Sequence, residues 1–261
     1  ERIQSVGLVP ALWNWIVNHP NFKDYDLSSL EQGTTGAAPM PLELKRKIVE
    51  LFPNMRLSEA FGMTETSASG SIAQHEDFLA KQGTVGRPTI NVEARVVDDN
   101  DNDVPSGEVG EIIYRGPTVM KEYYKMPEAT EQAFKGGWFH SGDLVRQDED
   151  GHIYVVDRKK DMIISGGENI YPVEIEDVLY THPKILEAAV IGVPDPEWGE
   201  SVKAIVVPKQ GETLTEGEVI EHCKKNLASY KKPKSVDFVD TLPRNPAGKV
   251  LKFELREKYR K

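Results

Sequence analysis

Apolar residues at 44, 48, 51 and 52 of the stretch Pro41-Leu-Glu-Leu-Lys-Arg-Lys-Ile-Val-Glu-Leu-Phe52 recur with a helical period, and Pro41 suits a first turn. Met55-Arg-Leu57 reads as a short strand running toward Phe61, so residues 1–80 alternate helix and strand. From 81 to 157 the pattern changes. Short β-rich runs, Glu93–Val97, Gly110–Tyr114 and His152–Val156, are separated by turn clusters, which predicts a small barrel or sheet. Beyond the charged run Arg158-Lys-Lys-Asp161 the periods mix again. Ile175, Val178 and Leu179 share one face of a predicted helix over 172–180, and Glu187–Pro194, Lys203–Pro208 and Ser235–Asp240 read as strands. Thr215-Glu-Gly-Glu218 is a capping box, opening a helix whose apolar stripe is Val219, Ile220, Cys223 and Leu227. The fold class that follows is α/β and α+β. Residues 1–157 form one domain (1–80 αβ, 81–157 β-rich), and 158–261 form a second, α+β domain.

Composition narrows the picture only a little. Hydrophobic residues at 39% and charged residues at 28% are those of a globular chain with a core. No apolar run reaches the ~18–20 residues of a membrane span. The first twenty residues lack the basic start and small-residue cleavage site of a secretion signal. The single cysteine, Cys223, cannot form an internal disulfide, which fits a reducing cytoplasm; its own place is a small core position on a helix. A net charge of −10 argues against general nucleic-acid binding. From 224 to 261, however, 12 Lys/Arg face 4 Asp/Glu. That tail is a solvated basic surface or an attractor for a polyanion, and it leaves peripheral membrane contact open. Oligomeric state leaves no mark in the sequence.

Two motifs are decoys. Gly33-Thr-Thr-Gly36 resembles part of a phosphate loop, but no Lys-Ser/Thr follows it. Asp99, Asp101 and Asp103 have EF-hand spacing. Val104, though, stands where a glycine must turn and Gly110 where a bidentate glutamate must bind, so the segment is an acidic surface turn.

Other segments offer chemistry. Gly36-Ala37-Ala38-Pro39 is a corner without bulk, where backbone can approach a flat ring. In Phe61-Gly62-Met63-Thr64-Glu65 an aromatic can stack on a purine and Gly62 permits a tight bend. The Thr64 hydroxyl can donate to a phosphate, and Glu65 offers a hard oxygen to Mg²⁺. Each also reads as an ordinary strand-to-helix turn or helix cap. Ser141-Gly-Asp143 presents a carboxylate after a glycine, suited to two adjacent hydroxyls or to a plain turn. Leu242-Pro-Arg-Asn-Pro-Ala-Gly248-Lys249 delivers one lysine from a loop that proline and glycine keep out of regular structure. His140 and His152 read as structural.

Taken in order, Phe61–Glu65, Ser141–Asp143, Arg158–Asp161 with Ser165-Gly-Gly167, and the Lys249 loop resemble the adenylate-forming acyl-CoA synthetases. Ile163-Ile-Ser-Gly-Gly-Glu-Asn-Ile-Tyr-Pro172 is most similar to the fatty acyl-CoA ligases. The resemblance runs from about Gly33 onward. Members carry a phosphate loop in a preceding half, so this chain, which opens at Glu1, is expected to be the C-terminal half and inactive alone.

The resemblance implies ATP-dependent ligation of a fatty acid to coenzyme A through an acyl-adenylate, with ATP/AMP, Mg²⁺ and CoA as cofactor and co-substrates and only small molecules as partners. It implies that Gly36, Ala37, Ala38, Pro39, Phe61, Gly62, Met63, Thr64, Asp143, Arg158 and Lys249 bind nucleotide. Thr64, Glu65 and Lys249 would be catalytic, Glu65 would hold the metal, and Gly166 and Gly167 would line a side-chain-free strand for CoA. Lys160 would be the hinge on which the second domain turns. Phe61 stands where tyrosine is commoner in the family and Ser141 where threonine is. An aryl or amino acid substrate, or an inert nucleotide-binding fragment, are the competing readings.

Overall fold

The computed structural model describes residues 2–38, 40–246 and 248–259. The chain divides into two compact units, Glu1–Val155 and Val156–Lys261.

In the first unit, strands β1 (Ser5–Gly7), β2 (Gln32–Gly36), β3 (Arg56–Phe61), β4 (Ser71–Ala73) and β5 (Arg87–Pro88) form one sheet in that order. β1, β2 and β3 run parallel, and β4 and β5 antiparallel. Helices α1 (Pro10–Val17) and α2 (Leu42–Leu51) cover this sheet, and α3 (His75–Ala80) follows β4. The helical stripe of α2 behaves as its spacing dictates: Ile48 and the following Phe52 are buried with Trp13 and Leu57, and Leu44 and Leu51 pack against them. Pro41 is the cap residue just before the helix rather than part of its first turn.

The 81–157 segment supplies β6 (Glu93–Val97), β7 (Val109–Arg115), α4 (Pro127–Ala133), β8 (Phe134–Lys135), β9 (Trp138–Gln147) and β10 (Ile153–Arg158). The expected barrel or sheet takes the form of a five-stranded sheet with the path β10-β9-β7-β6, β8 pairing β9. The turn at Asp98–Asp103 closes the approach to β7. There the Asp98 carboxylate accepts the backbone N–H groups of Asn100 and Asn102, which is why the EF-hand-like spacing is only a turn.

The second unit is built on β11 (Ile163–Ser165), β12 (Glu168–Ile170), β13 (Ile185–Asp195), β14 (Gly199–Pro208) and β15 (Ser235–Phe238), with α5 (Pro172–Tyr180), α6 (Glu216–Asn226) and α7 (Lys252–Lys258). The sheet order is β12-β11-β14-β13, with β15 also on β14. Alternation along the long strands splits the core in two. Val190, Val202, Ala204 and Val206 face α5 and α6, while Ala189, Ile191, Ile205 and Val207 face Leu242 and Leu255 of the C-terminal segment. Cys223 lies wholly inside the first of these layers, and burial pushes its thiol up to about 11. The Thr215 capping box forms as its sequence demands, with its hydroxyl accepting from Glu218 N–H and Glu218 Oε2 accepting from Thr215 N–H.

Candidate nucleotide and thiol site

Because β2 and β3 are parallel and paired Gly36 to Ala60, they end side by side. The corner at Gly36–Ala38 and the loop opening at Phe61 therefore share the carboxyl edge of one sheet, the edge at which open α/β sheets bind ligands. Gly36 leaves no room for a side chain: a Cβ there would stand 2.5 Å from the Ala60 carbonyl oxygen. Ala37 holds φ 67°, a left-handed conformation that costs a non-glycine residue energy and marks the corner as constrained. Pro39 lies outside the described residues.

The Phe61 loop is compact. Gly70 N–H returns to the Phe61 carbonyl at 3.1 Å and Ala68 N–H to that of Met63 at 2.8 Å. Thr66, not Thr64, does the capping: its buried hydroxyl accepts from Met63 N–H at 3.2 Å and donates to the Met63 carbonyl at 3.1 Å. Thr64 is left exposed in the 3-10 turn Thr64–Thr66. Ser67 (φ 54°) and Ala68 (φ 58°) are both left-handed, so strain collects in this loop. Phe61 and Met63 rest on the core that also holds Tyr114 and Phe139, which ties the loop to the 81–157 sheet.

Glu65 is half-buried, and its Oε1 accepts from the Tyr123 hydroxyl at 2.9 Å, while Met120 N–H donates to its carbonyl at 2.7 Å. Sequence reading missed Tyr123: a tyrosine 58 residues away carries no local sign that it holds a carboxylate. Burial and the neighbouring Glu65 raise its phenol pKa, keeping it a donor.

Asp143 belongs to a bulge and not to a turn. Glu111 pairs with Leu144 and Ile113 with His140, so Ser141, Gly142 and Asp143 stand opposite Ile112 alone. Gly142 N–H donates to Glu111 Oε1 at 2.9 Å and Asp143 N–H to Ser141 Oγ at 3.0 Å, which fixes the bulge. Asp143 is 4% exposed. Burial first, and the charge of Asp143 second, push the phenol of fully buried Tyr114 far up.

In the second unit Arg158 ends β10, and Lys160 is exposed in the turn that Asp161 and Met162 N–H close on the Arg158 carbonyl. The glycine pair is not a strand. Ile163–Ser165 pairs antiparallel with Glu168–Ile170, leaving Gly166 (φ 60°) and Gly167 (φ 87°) as the two-residue loop. Positive φ at both positions is what a type I′ hairpin requires. Lys249 is exposed on a loop pinned at its base by the Arg244–Val250 bridge and by Lys249 N–H donating to Asn245 Oδ1 at 2.9 Å. This loop and α7 lie on the sheet face opposite α5 and α6.

Asp148, Asp150 and His152 bring ligand atoms within 4.8 Å of one another, but an ammonium already sits among them. Lys81 Nζ is 3.0 Å from Asp148 and 2.6 Å from Asp150, and His152 Nε2 is engaged with Asp77 at 3.0 Å. It is an ion-pair cluster joining α3 to the β9–β10 turn. Among the described residues no helix is long and apolar enough to cross a membrane.

Known proteins place these segments in one lineage. Residues 1–124 match the model of the AMP-binding enzymes, and residues 174–249 match that of the AMP-binding enzyme C-terminal domain. A feruloyl-CoA synthase of Amycolatopsis is 43% identical over 259 residues, 99% of this chain and 52% of its own length. A long-chain-fatty-acid–CoA ligase of Mycobacterium tuberculosis, FadD13, is 42% identical over 259 residues, again 99% of this chain and 51% of its own. ATP-bound MatB from Rhodopseudomonas palustris superposes with a TM-score of 0.91 at 36% identity, covering 99% of this chain and 51% of that one. The o-succinylbenzoate CoA synthetase of Bacillus subtilis, in complex with its acyl-adenylate, gives 0.88 at 34%, covering 98% and 51%. The chain thus spans about half the length of the relatives it matches. Its sequence and both units carry the marks of one group, and the chain belongs to the AMP-binding, adenylate-forming enzyme family.

Proposed function

We propose that this chain serves an AMP-forming acid–CoA ligase, with a fatty acid as substrate. The observation that carries the reading is the shared carboxyl edge of β2 and β3, where the small-residue corner and the Phe61–Glu65 loop come together. Adenine lies against Gly36–Ala38 and stacks on Phe61, and Thr64 donates to the α-phosphate. Asp143 and Arg158 take the ribose hydroxyls. Glu65 suits a magnesium ion, which takes one or two carboxylates and otherwise phosphate and water oxygens; its Tyr123 hydrogen bond fixes the carboxylate's direction. Bound there, the ion would neutralise phosphate charge.

In the first step the substrate carboxylate attacks the α-phosphorus of ATP and pyrophosphate departs; in the second the CoA thiol displaces AMP from the acyl carbon. No side chain acts as nucleophile. Lys249 places its ammonium against the charge growing on phosphorus in the first step, and the Gly166-Gly167 turn receives the pantetheine arm in the second, with Lys160 in the turn that lets the two exchange. A second reading, an aryl acid as substrate, is favoured by the feruloyl-CoA synthase and by an indoleacetate–CoA ligase of Aromatoleum aromaticum at 42% identity.

Carboxylate-dependent ATP–pyrophosphate exchange tests the proposal in the full-length enzyme that carries this chain. Lys249→Ala should lower exchange by about 10²–10³ while sparing thioester formation from supplied acyl-adenylate. Equal loss of both half-reactions would refute the role given to Lys249. Comparing fatty and aryl acids in the same exchange assay decides between the two substrate readings.

A further inference from the structure

The short helix α7 begins three residues after Lys249, and its two inward cations are each paired with a carboxylate. Lys252 Nζ lies 2.7 Å from Glu176 Oε1, with both side chains 15% exposed. One turn later Arg256 Nη1 lies 2.7 Å from Asp161 Oδ1. Residues i and i+4 share a helix face, so α7 turns a basic edge to the rest of the unit while Leu255 and Tyr259 pack on the sheet.

What those cations grip matters. Glu176 sits on α5, where it also accepts Val190 N–H at 2.7 Å. One turn earlier on the same helix, Val173 N–H donates to Asp157 Oδ2 at 3.0 Å, and Asp157 Oδ1 takes the N–H of Arg158 at 2.7 Å. Asp157, Arg158, Lys160 and Asp161 are one short segment. Its two ends are thereby fastened to α7, at Asp157 through a single turn of α5 and at Asp161 directly by Arg256. At the other end of α7, Leu251 N–H donates to the Pro243 carbonyl at 2.9 Å, closing the Lys249 loop. Burial raises the pKa of both Glu176 and Asp157, with the charge of Lys252 opposing the shift in each, as expected for carboxylates sharing one buried ammonium.

We infer that Lys252 is a positioning residue for Lys249: it locks the lysine loop to the segment holding Arg158 and Lys160, so that the loop and the turn move as one body. A helix that needed only to stay folded would be served as well by apolar contacts, since an ion pair out of water is weak support for stability. What such a pair supplies here is a fixed register. The inference rests on the functional reading given above for Lys249.

The test uses both half-reactions of the full-length enzyme. Lys252→Met should reduce kcat for ATP–pyrophosphate exchange by about 10- to 100-fold, the effect of a small misplacement of a catalytic group, with KM for ATP and the thioester half-reaction changed by less than roughly twofold. Lys252→Arg should regain most of the exchange. The pair Lys252→Met/Glu176→Gln, which removes the Glu176 charge together with the ammonium and keeps an acceptor for Val190, should recover most of the stability lost in Lys252→Met yet remain slow in exchange. Unchanged exchange in Lys252→Met, or an equal fall of both half-reactions in the paired variant, overturns the inference. Lys249→Ala separates the two levels. Intact exchange there overturns the functional reading and this inference with it, whereas lost exchange there with normal exchange in Lys252→Met overturns this inference alone.

Discussion

The two hairpin glycines look equivalent in sequence and are not equivalent in space. A Cβ added to Gly166 would stand 2.4 Å from Trp198 Cε3, whereas one added to Gly167 would meet nothing within 4 Å. Both hold positive φ, so alanine at either costs about 1–2 kcal/mol in backbone strain. At Gly166 the overlap adds about 1–3 kcal/mol, because the ring must shift or the turn must lift from it. The turn cannot lift freely, since Gly166 N–H donates to the Trp198 carbonyl at 2.9 Å. Gly166→Ala should therefore cost about 1–3 kcal/mol more than Gly167→Ala, and Trp198→Ala should erase the difference. Exchange of the slowest amide hydrogens in β13 and β14 reads the stability of this unit, at about tenfold per 1.4 kcal/mol. Equal destabilisation by the two alanines, or a gap that survives Trp198→Ala, would show that the ring does not occupy that space. The same contact bears on the role proposed for the pair. Trp198 accounts for the bare position at 166, so in the proposed thioester step Gly167 would be the glycine whose missing side chain makes room for the thiol arm. In the thioester half-reaction Gly167→Ala should lose more rate per unit of stability lost.

Two further outcomes follow from charges held by named partners. Lys45 and Glu59 form a buried ion pair beneath β3, each about one-twentieth exposed, and burial raises the Glu59 pKa despite the ammonium beside it. Lys45→Met should cost about 3–5 kcal/mol in chemical denaturation and Lys45→Met/Glu59→Gln much less; a loss under about 1 kcal/mol for the single variant would mean the pair is hydrated. Asp195, held by Lys234 at 3.0 Å and by the N–H groups of Glu197 and Trp198, has its pKa lowered to about 2, chiefly by the Lys234 hydrogen bond. A depressed carboxylate stabilises the fold above its unfolded pKa of about 3.9 and loses that contribution as pH falls toward 2. The amide resonances of Glu197 and Trp198 should thus titrate below about pH 3, and Lys234→Met should move the midpoint up; a parent midpoint near 3.9 would contradict the contact.

What the sequence makes legible is whatever repeats locally. The α2, α5 and α6 stripes and the strands β6, β7, β10, β13, β14 and β15 were readable because a periodic apolar face must be buried, and Thr215 because its partner lies three residues away. β9 was hidden because Ser141-Gly-Asp143 breaks its alternation, and the break is the bulge itself. The glycine pair shows only an absence of side chains, which a strand and a type I′ turn share; the choice between them is made by Ile163 pairing with Ile170. The candidate site residues were named from the order of their motifs along the chain, whereas the side chains that support them carry no such signal. Tyr123 reaches Glu65 across 58 positions, and Arg256 reaches Asp161 across 95.

The clearest case is α7. Lys-Phe-Glu-Leu-Arg-Glu-Lys carries five charges in seven residues and scans as a solvated tail, the reading its basic surroundings encourage. A side chain's charge, though, does not fix its exposure; the carboxylates it can reach do that. Lys258 and Glu254 could be solvated anywhere, but Lys252 can lie inside only because Glu176 and Asp157 are held there by backbone donors on α5 and β13 that need acceptors of their own. The burial of one lysine is thus decided by the unmet hydrogen bonds of distant strands and helices, and no window along the chain contains that information.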